Sequence, residues 1–565
     1  MNPRKMTRRV ASCSIVLALV AGACGGDDDD ASDATPAPSP TAATSDPGVP
    51  VTDGGAAPTD PAQPADPGTP GDTDGCAASG GRLTFAVPSL STTLDPFSAA
   101  GGLGGDLAAI YDVVVRYDAT TGEFEPRLAE SVSSNDDTTV WTVVMREGAT
   151  FGNGDPVDAA AVKASVDRHL AEGSASGLNS YAALIDEVVA VDDRTVEFHL
   201  TGAWGAFPFA LTRGLGYITN VAVIDERGEE AFALDPSGAG AGAFEVSRWA
   251  APESATLAAK QDWWGGDVCL DELEYVVIPD AGAAGDAFEN GEVDAVLMDA
   301  RAPLETARLK DVAAHSTSFI QHGGGVVMLN AGRGEEPPAT ADTRVRAAIA
   351  AAIDPNVIDE RVWEGRGFPQ TSLIQEASHI YTPLDGPAFD PERARELVAE
   401  VKAETGWDGT LRFDCVTNLA EAALTIKAML DAVGFDVVLE ANRTLPQQVE
   451  LVVAGRFDVA CFGHTPDEGD LWDGLRSYVS TNPRNLSGIA SPELDATLDV
   501  LRQATTPDEV QAALADVQAV WNEVNPAVVY AAFDHVLAWT DAVDGIEFNY
   551  STTVVGLFHR ASVSR

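Results

Sequence analysis

A short acidic loop, GHTPDEGD over residues 463–470, contains the residues of this chain best suited to binding a charged solute. Its carboxylates belong to Asp467, Glu468 and Asp470. A carboxylate in a closed, dry cleft pairs with a cation far more strongly than one at an exposed surface. The residues alone leave open which of the three would do so, because an acidic residue here could equally cap a helix or close a turn.

Motifs of enzymatic chemistry are absent. The sequence has no G-x-S-x-G, no H-E-x-x-H, no S-x-x-K and no phosphate-binding P-loop. The eight histidines lack metal-ligand spacing, and His464 could bind nickel only with partners distant in sequence. We therefore expect no catalytic residue, no cofactor and no metal ion, although a paired acid and base could be hidden among so many carboxylates.

Alternating strands and helices must position the acidic loop. The pattern predicts strands at 410–416, 435–440 and 457–463, and helices at 421–433 and 446–454. This order is typical of a parallel βαβαβ unit, whose ligands lie at the carboxyl ends of its strands. The rule points to the loop after the third strand. A last helix is predicted over 507–524.

An earlier stretch, residues 128–166, has a clear local pattern. Alternating residues from Thr139 to Met145 predict a half-buried strand, and Gly152–Pro156 supplies a turn. Asp158 should cap the helix that follows. By physics alone this is a strand, a turn and a helix.

This stretch also resembles the signature of the family 5 solute-binding proteins, the extracytoplasmic receptors of peptide, nickel and related ABC importers. The residues that carry the match are Trp141, Arg146, Gly148, Phe151, Gly154, Pro156, Ala160, Val162 and Ser165. Further blocks, such as DWWG at 262–265 and LDELEYVVIPD at 270–280, are similar to the family as well. The resemblance covers nearly everything from Arg82 to about Gly556.

The resemblance implies an α/β fold: a periplasmic-binding-protein-like type II clamshell with two lobes joined by a hinge and an additional inserted α+β domain. We expect lobe I to comprise 76–116, 212–328 and 534–565, the inserted domain II 117–211, and lobe III 329–533. The aromatic residues at the end of the inserted domain are expected to pack rather than bind: Trp204, Phe207 and Phe209.

The resemblance also implies a binding site. In peptide-binding members an aspartate of the corresponding loop pairs with the ligand's α-ammonium group, and Asp467 aligns best with it. His464 stands where peptide binders often have Trp. The residues expected to contact ligand are Asp467, His464, Thr465 and Gly463 of this loop, with Ser98 and Gly102 of the first loop facing the cleft.

Composition limits the partners. The formal net charge is -52 and the pI is about 4.2. This acidity argues against nucleic acid as a binding partner and against electrostatic docking on anionic lipid. A chain of 565 residues is too long for one core, so two or three lobes are expected.

The N-terminal residues predict export and anchoring. Residues 1–23 have the basic start and short apolar run of a signal peptide. Cys24 follows Ala21-Gly22-Ala23 and resembles the lipid-modified cysteine of a bacterial lipobox; the alternative is an ordinary secretory signal. Residues 24–75, rich in Asp, Pro and Ala, predict a disordered tether. We expect the mature protein to be a monomer that is anchored by its lipid to the outer face of the cytoplasmic membrane.

Four cysteines remain for an oxidising compartment: Cys76, Cys269, Cys415 and Cys461. They permit three pairings. We favour Cys76 with Cys269, because each precedes a strand of the same lobe. Cys415 and Cys461 lie in two predicted strands of another lobe, where a second disulfide and free thiols remain equal alternatives.

The expected function is a membrane-anchored substrate-binding receptor of an ABC importer that closes on a small solute, an oligopeptide first, and presents it to the permease. Opines, siderophores, nickel chelates, glycosides or haem are alternatives within the family. Two other classes stay open: a solute-sensing lipoprotein of the same fold, and an extracellular hydrolase, which no motif supports.

Overall fold

The computed structural model describes residues 76, 79–99, 105–119, 121–171, 174, 176, 179–298, 302–335, 337–376, 378, 380–463, 466–550 and 554–564. Several predictions fall outside these residues. They are the signal peptide (1–23), Cys24, the tether (24–75), Gly102, His464 and Thr465.

The described strands, in chain order, are β1 (Arg82–Val87), β2 (Val115–Asp118), β3 (Glu123–Pro126), β4 (Ala129–Ser134), β5 (Val140–Met145), β6 (Ile185–Ala190), β7 (Thr195–Leu200), β8 (Phe244–Ala250), β9 (Ser254–Ala259), β10 (Glu272–Val277), β11 (Ala295–Met298), β12 (His315–Leu329), β13 (Phe368–Pro369), β14 (Thr410–Val416), β15 (Asp436–Arg443), β16 (Val459–Ala460), β17 (Ala527–Trp539), β18 (Val543–Asp544), β19 (Glu547–Tyr550), β20 (Val554–Leu557) and β21 (Ser562–Val563).

The described helices are α1 (Gly105–Tyr111), α2 (Ala159–Leu170), α3 (Asn179–Ala182), α4 (Val221–Arg227), α5 (Glu229–Phe232), α6 (Ala281–Glu289), α7 (Pro303–Val312), α8 (Thr343–Ala352), α9 (Pro355–Val362), α10 (Pro391–Thr405), α11 (Ala420–Ala432), α12 (Leu445–Val453), α13 (Leu471–Leu475), α14 (Pro492–Gln503) and α15 (Pro507–Val524). Helix α15 has the predicted bounds. A short 3-10 turn at Phe207–Thr212 ends the inserted domain, and a second one follows at Gly214–Gly216.

One large mixed sheet runs through both lobes in the order β15-β14-β16-β12-β17-β11-β1-β10-β9-β8. We use lobe I for the side of β1 and β8–β11, and lobe III for the side of β14–β16. In lobe III, β14 pairs in parallel with both β15 and β16, which confirms the predicted βαβαβ unit. The fold is therefore α/β, as expected.

Two long antiparallel strands, β12 and β17, join the lobes. One end of β17 pairs with β11 of lobe I, and the other end of β12 pairs with β16 of lobe III. Between these ends the β12–β17 register shifts twice, between Gln321 and Gly325 and again between Gly325 and Val326. Gly323 adopts a φ of 59° in this bulge. A bulge bends its strand locally, so the connection between the lobes is a strand pair with a built-in bend.

The inserted domain is a four-stranded antiparallel sheet in the order β4-β5-β7-β6, covered by α2. Every second residue of β5 is buried, as the alternation predicted. The Asp158 carboxylate accepts a hydrogen bond from the backbone N–H of Ala161 at 2.8 Å and caps α2, also as predicted. The signature stretch thus forms the core of this domain.

The prediction of a strand over 457–463 was wrong in length. Only Val459 and Ala460 make ladder pairs, with β14 on one side and β12 on the other. Phe457 is buried although it lies outside the ladder. Its apolar side chain packs into the core although its backbone does not pair with a strand. The sequence pattern alone does not distinguish such a buried residue from a residue of a longer strand.

Candidate ligand-binding site

The acidic loop connects the end of β16 to the start of α13. At its start Gly463 lies against β12, where a Cβ atom would come 2.4 Å from a methyl carbon of Val326. At its end the Asp470 carboxylate accepts a hydrogen bond from the backbone N–H of Asp473 at 3.2 Å and caps α13. Both ends of the loop are therefore fixed by close contacts.

A disulfide closes the base of the loop. Cys415 at the end of β14 is bonded to Cys461 directly after β16, with Cα atoms 4.7 Å apart. The register places Asp414 level with Ala460, so the two cysteines that follow face each other across parallel strands. A second disulfide, with Cα atoms 5.4 Å apart, joins Cys76 to Cys269.

Asp467 faces a cation of the same chain. Its Oδ2 lies 3.4 Å from Nη1 of Arg213, which directly follows the 3-10 turn at the end of the inserted domain. The two side chains are 13% and 15% exposed. Burial raises the pKa of Asp467 to about 7. The Arg213 charge lowers this pKa, and the Asp473 charge raises it further. Asp467 therefore has a carboxyl group that titrates near neutral pH.

Arg213 is held in place mainly by other partners. Its Nη2 donates to Oδ2 of Asp473 at 2.9 Å and also contacts the Tyr181 hydroxyl. The guanidinium lies 4.6 Å from the ring centroid of Phe209, a cation–π distance. These contacts orient Arg213 independently of Asp467.

Five charged residues form what we call the aspartate–arginine cluster: Asp467, Asp470, Asp473, Arg213 and Arg476. Nε of Arg476 donates to Oδ1 of Asp473 at 2.7 Å. Burial and the neighbouring Asp473 charge raise the pKa of Asp470. Burial opposes ionisation of Asp473 too, but Arg476 and Arg213 hold its pKa below the usual value. With three carboxylates and two guanidiniums, the cluster lacks one positive charge when fully ionised.

Aromatic residues of the inserted domain pack onto the cluster. Trp204, Phe207 and Phe209 are all buried, so the prediction that they pack is confirmed. The Trp204 Nε1–H also donates to Oδ2 of Asp470 at 2.8 Å, and its ring lies 5.6 Å from that of Trp472. The inserted domain therefore covers the acidic loop and α13 of lobe III.

Glu468 points towards the bulge between the lobes. Its Oε1 lies 3.2 Å from Nε2 of His322, and both side chains are nearly fully buried. Nδ1 of His322 accepts a hydrogen bond from the backbone N–H of Gln375 at 3.2 Å. Because Nδ1 is an acceptor, the imidazole proton is assigned to Nε2, which donates to Glu468. The loop thus contacts the strand pair that joins the lobes.

Ser98 lies in an exposed turn, where its backbone N–H donates to the Asp95 carbonyl at 3.1 Å. Asp95 is paired with Arg168 of α2 at 2.8 Å. Among the described residues, no hydrogen bond joins Ser98 to Asp467. Its role as a ligand contact stays a prediction.

Sequence reasoning missed the residues of the cluster outside the loop. Arg213, Asp473 and Arg476 were not singled out, and only the fold brings Arg213 to Asp467 across 254 residues of sequence. One signal was available for Arg213. It is the only charged residue of FPFALTRGLGYI, residues 207–218, and a lone guanidinium in an apolar stretch needs a buried partner.

The described residues contain neither a group of metal ligands nor a candidate membrane-spanning helix. No group of three or more His, Cys, Asp or Glu residues there is arranged to hold a metal ion. Likewise, none of the helices in those ranges combines the length and apolar character needed to span a bilayer.

The chain is similar to known binding proteins in sequence. It is 25% identical over 294 residues to a putative ABC transporter peptide-binding protein of Brucella ovis, a match that covers 49% of this chain and 54% of the relative. The chain thus spans about half the length of this and four further Brucella relatives. Heme-binding protein A of Haemophilus influenzae is 23% identical over 395 residues, with 66% of this chain and 71% of the relative covered.

The fold is similar to that of solved structures. NikA of Brucella suis, in complex with Fe(III)-EDTA, aligns with a TM-score of 0.70 and 21% identity over 86% of this chain and 100% of that one. DppA of Helicobacter pylori, in complex with the peptide STSA, aligns with a TM-score of 0.69 and 20% identity over 86% and 99%. These likenesses confirm the two-lobed clamshell.

The sequence model of the bacterial extracellular solute-binding proteins, family 5 (middle region), matches residues 123–485. This range includes most of the inserted domain, the β12 strand and the whole acidic loop. The family is one of binding proteins and not of enzymes. This chain belongs to the bacterial extracellular solute-binding proteins of family 5.

Proposed function

We propose that this protein is the solute receptor of an ABC importer. It captures a small solute between its lobes, with an oligopeptide as the first expectation, and delivers it to the permease subunits. Closure is a population shift driven by the better fit of the ligand to the shut form.

The observation that carries this proposal is the position of Asp467. Its carboxylate lies in a loop between lobe III and the inserted domain, largely removed from water and only loosely paired. A ligand ammonium there would gain a charge-assisted hydrogen bond in a low-dielectric site. When all three carboxyls of the aspartate–arginine cluster are ionised, it would also supply the positive charge that the cluster then lacks.

Hinge closure is supported by the strand pair that joins the lobes. We propose the domain boundaries given above: lobe I 76–116, 212–328 and 534–565, domain II 117–211, and lobe III 329–533. The boundaries at 328 and 534 lie in β12 and β17, on either side of the bulge at Gly323. The Glu468–His322 contact connects the ligand loop to this bulge.

The names of similar proteins support a small-molecule or peptide ligand without selecting one. They include peptide-binding, dipeptide-binding and heme-binding proteins, and a complex with Fe(III)-EDTA. Such different ligands on one fold show why the ligand must be argued from the site. For this chain, the carboxylates of the loop favour a ligand with a cationic group.

Anchoring is proposed from the sequence. Export through residues 1–23 and lipidation of Cys24 would hold the receptor at the outer face of the cytoplasmic membrane, with residues 24–75 as its tether. The measurement is metabolic labelling with a palmitate analogue. Wild type should be labelled and membrane-bound, whereas Cys24→Ser should be unlabelled and released; equal labelling of both would refute the anchor.

The central experiment is native mass spectrometry of protein purified from its own host, followed by titration with the solute that co-purifies. Asp467→Asn should weaken binding about 10- to 100-fold, since it replaces a charge-assisted hydrogen bond with a neutral one. Asp541→Asn is the matched control, because that carboxylate is 88% exposed. Unchanged affinity of Asp467→Asn would remove Asp467 from the site, and a receptor that never co-purifies with or binds a solute would contradict the proposal.

A further inference from the structure

The end of the acidic loop is a tight turn that lies against one aromatic ring. The backbone N–H of Asp470 donates to the Asp467 carbonyl at 3.1 Å, so Glu468 and Gly469 occupy the two central positions of a four-residue turn. Gly469 is buried, and a Cβ atom there would come 2.3 Å from Cδ2 and 2.4 Å from Cε2 of Phe209. Non-bonded carbons pack at about 3.5–4.0 Å, so position 469 has no room for a side chain.

The backbone conformation at Gly469 does not itself require glycine. Its φ lies outside the left-handed region, so other residues could adopt the same conformation without strain. The three atoms nearest to the added Cβ all belong to Phe209. The Phe209 ring is therefore what excludes a side chain at this position.

The Phe209 ring is held by lobe I, although it lies in the last turn of the inserted domain. It is fully buried in the hydrophobic core of lobe I and makes an edge contact with Tyr117, with ring centroids 5.9 Å apart. The Asn549 side chain, from the last segment of lobe I, donates to the Thr212 carbonyl at 2.8 Å and fixes the same turn. A ring packed in this way cannot move aside easily.

The turn that contains Gly469 is held by lobe III. The Cys415–Cys461 disulfide closes the base of the acidic loop, and the Asp470 carboxylate caps α13 at its other end. The contact between Gly469 and Phe209 thus joins one lobe to the other. Hinge motion at the bulge of β12 would separate the two residues, so this contact is one that only the shut form can make.

We propose that Phe209 is a positioning residue, whose ring is the stop against which the acidic loop rests when the lobes close. The same ring lies 4.6 Å from the Arg213 guanidinium, and Asp467 is two residues from Gly469. One ring therefore fixes both charged groups relative to each other in the shut form. This role rests on the proposed function and deepens it, because it defines what limits closure around a captured solute.

A side chain at position 469 should act on the shut form alone. In the open form the turn is away from the ring, so Gly469→Ala should associate with solute at a rate within about twofold of wild type. Its Tm without solute should stay within about 1 °C of the wild-type value. In the shut form the added methyl group overpacks the contact, so the lobes reopen sooner. The dissociation rate should rise about 10- to 100-fold.

The test uses the full-length receptor. The probe is the solute fraction that acid releases from wild-type receptor purified from its own host. Stopped-flow tryptophan fluorescence measures association and, after dilution, dissociation, because Trp204 and Trp472 meet across the closing interface with rings 5.6 Å apart. Calorimetry without probe gives the Tm. Gly282→Ala is the matched control, since its Cβ approaches only an Asp280 carboxylate oxygen, at 3.3 Å.

A double-mutant cycle assigns the effect to the ring. Phe209→Val removes the two ring carbons that would meet a Cβ atom at position 469. It also leaves a cavity and lowers the Tm, but this loss is shared by the proteins with Gly469 and with Gly469→Ala in that background. Between these two proteins the dissociation rate should differ by less than about threefold. Gly469→Leu, tested with Phe209 in place, should dissociate faster than Gly469→Ala and serves if Phe209→Val does not fold.

The expected result is faster dissociation of Gly469→Ala at unchanged Tm, with the effect lost in the Phe209→Val background. Wild-type dissociation together with a lowered Tm would show a permanent contact and overturn the inference. An equal increase in both backgrounds, or no further increase in Gly469→Leu, overturns it as well. These outcomes leave the proposed function intact as long as Asp467→Asn still weakens binding. A solute fraction that wild type does not bind contradicts the proposed function itself.

Discussion

The raised pKa of Asp467 predicts how the stability of the receptor depends on pH. A carboxyl group with a higher pKa in the folded than in the unfolded protein binds its proton more tightly when folded. Its contribution to stability is therefore full below the unfolded pKa and is lost as pH rises through the folded pKa. For Asp467 the folded pKa is about 7 and the unfolded one about 3.9, so the loss falls between these values.

The magnitude follows from the same two pKa values. Between pH 5 and pH 8 the wild-type carboxyl should lose about 2.5 kcal/mol of stability, and Asp467→Asn should lose none from this position. A folded unit of roughly 490 residues has an unfolding entropy near 1 kcal/mol/K at its Tm. The Tm of wild type minus that of Asp467→Asn should therefore fall by about 2–3 °C over this range.

The assay is differential scanning calorimetry of ligand-free protein at half-unit pH steps. Asp541→Asn should follow the wild-type profile, because that exposed carboxylate is not desolvated. Parallel profiles for wild type and Asp467→Asn would show that Asp467 titrates normally, and the argument from its burial would be wrong.

Two further predictions concern the supports of the loop. Replacing Cys415 and Cys461 by Ser should lower the stability by about 3–4 kcal/mol, from the entropy of opening a 46-residue separation. The Tm, measured by calorimetry without reductant, should fall by about 3–4 °C, and an unchanged Tm would contradict this prediction. Gly205→Ala should lower the Tm by about 1–3 °C, because the new Cβ atom would come 2.0 Å from the Ala504 carbonyl oxygen. Gly282→Ala is the control and should not lower the Tm, because its Cβ atom approaches only an Asp280 carboxylate oxygen, at 3.3 Å.

Local structure could be predicted where one segment determines it. The alternation of β5, the Asp158 cap and the bounds of α15 depend on neighbouring residues, and each agrees with the structure. The strand before the acidic loop was predicted too long because Phe457 is buried by tertiary packing rather than by pairing. Apolar character shows burial, not the partner that buries the residue.

The site could be predicted only in part. Asp467 was found through the family resemblance and the rule for parallel sheets, but its partner Arg213 is 254 residues away in sequence. No periodicity connects two such positions. The Trp204 indole was expected to pack, and its hydrogen bond to Asp470 depends on how the inserted domain meets lobe III. Interactions of this kind can be identified only from the three-dimensional structure.

The two strands that continue from one lobe into the other have a consequence for protein engineering. Truncation at the proposed boundary 533/534 would cut β17 in the middle, and truncation at the proposed boundary 328/329 would cut β12 near its end. Either cut would separate paired segments of β12 and β17 and leave their backbone groups unpaired. Such exposed edges recruit other chains, so an isolated lobe should aggregate when expressed alone. A biosensor built on this receptor should therefore keep the polypeptide intact and place its reporters on surface loops.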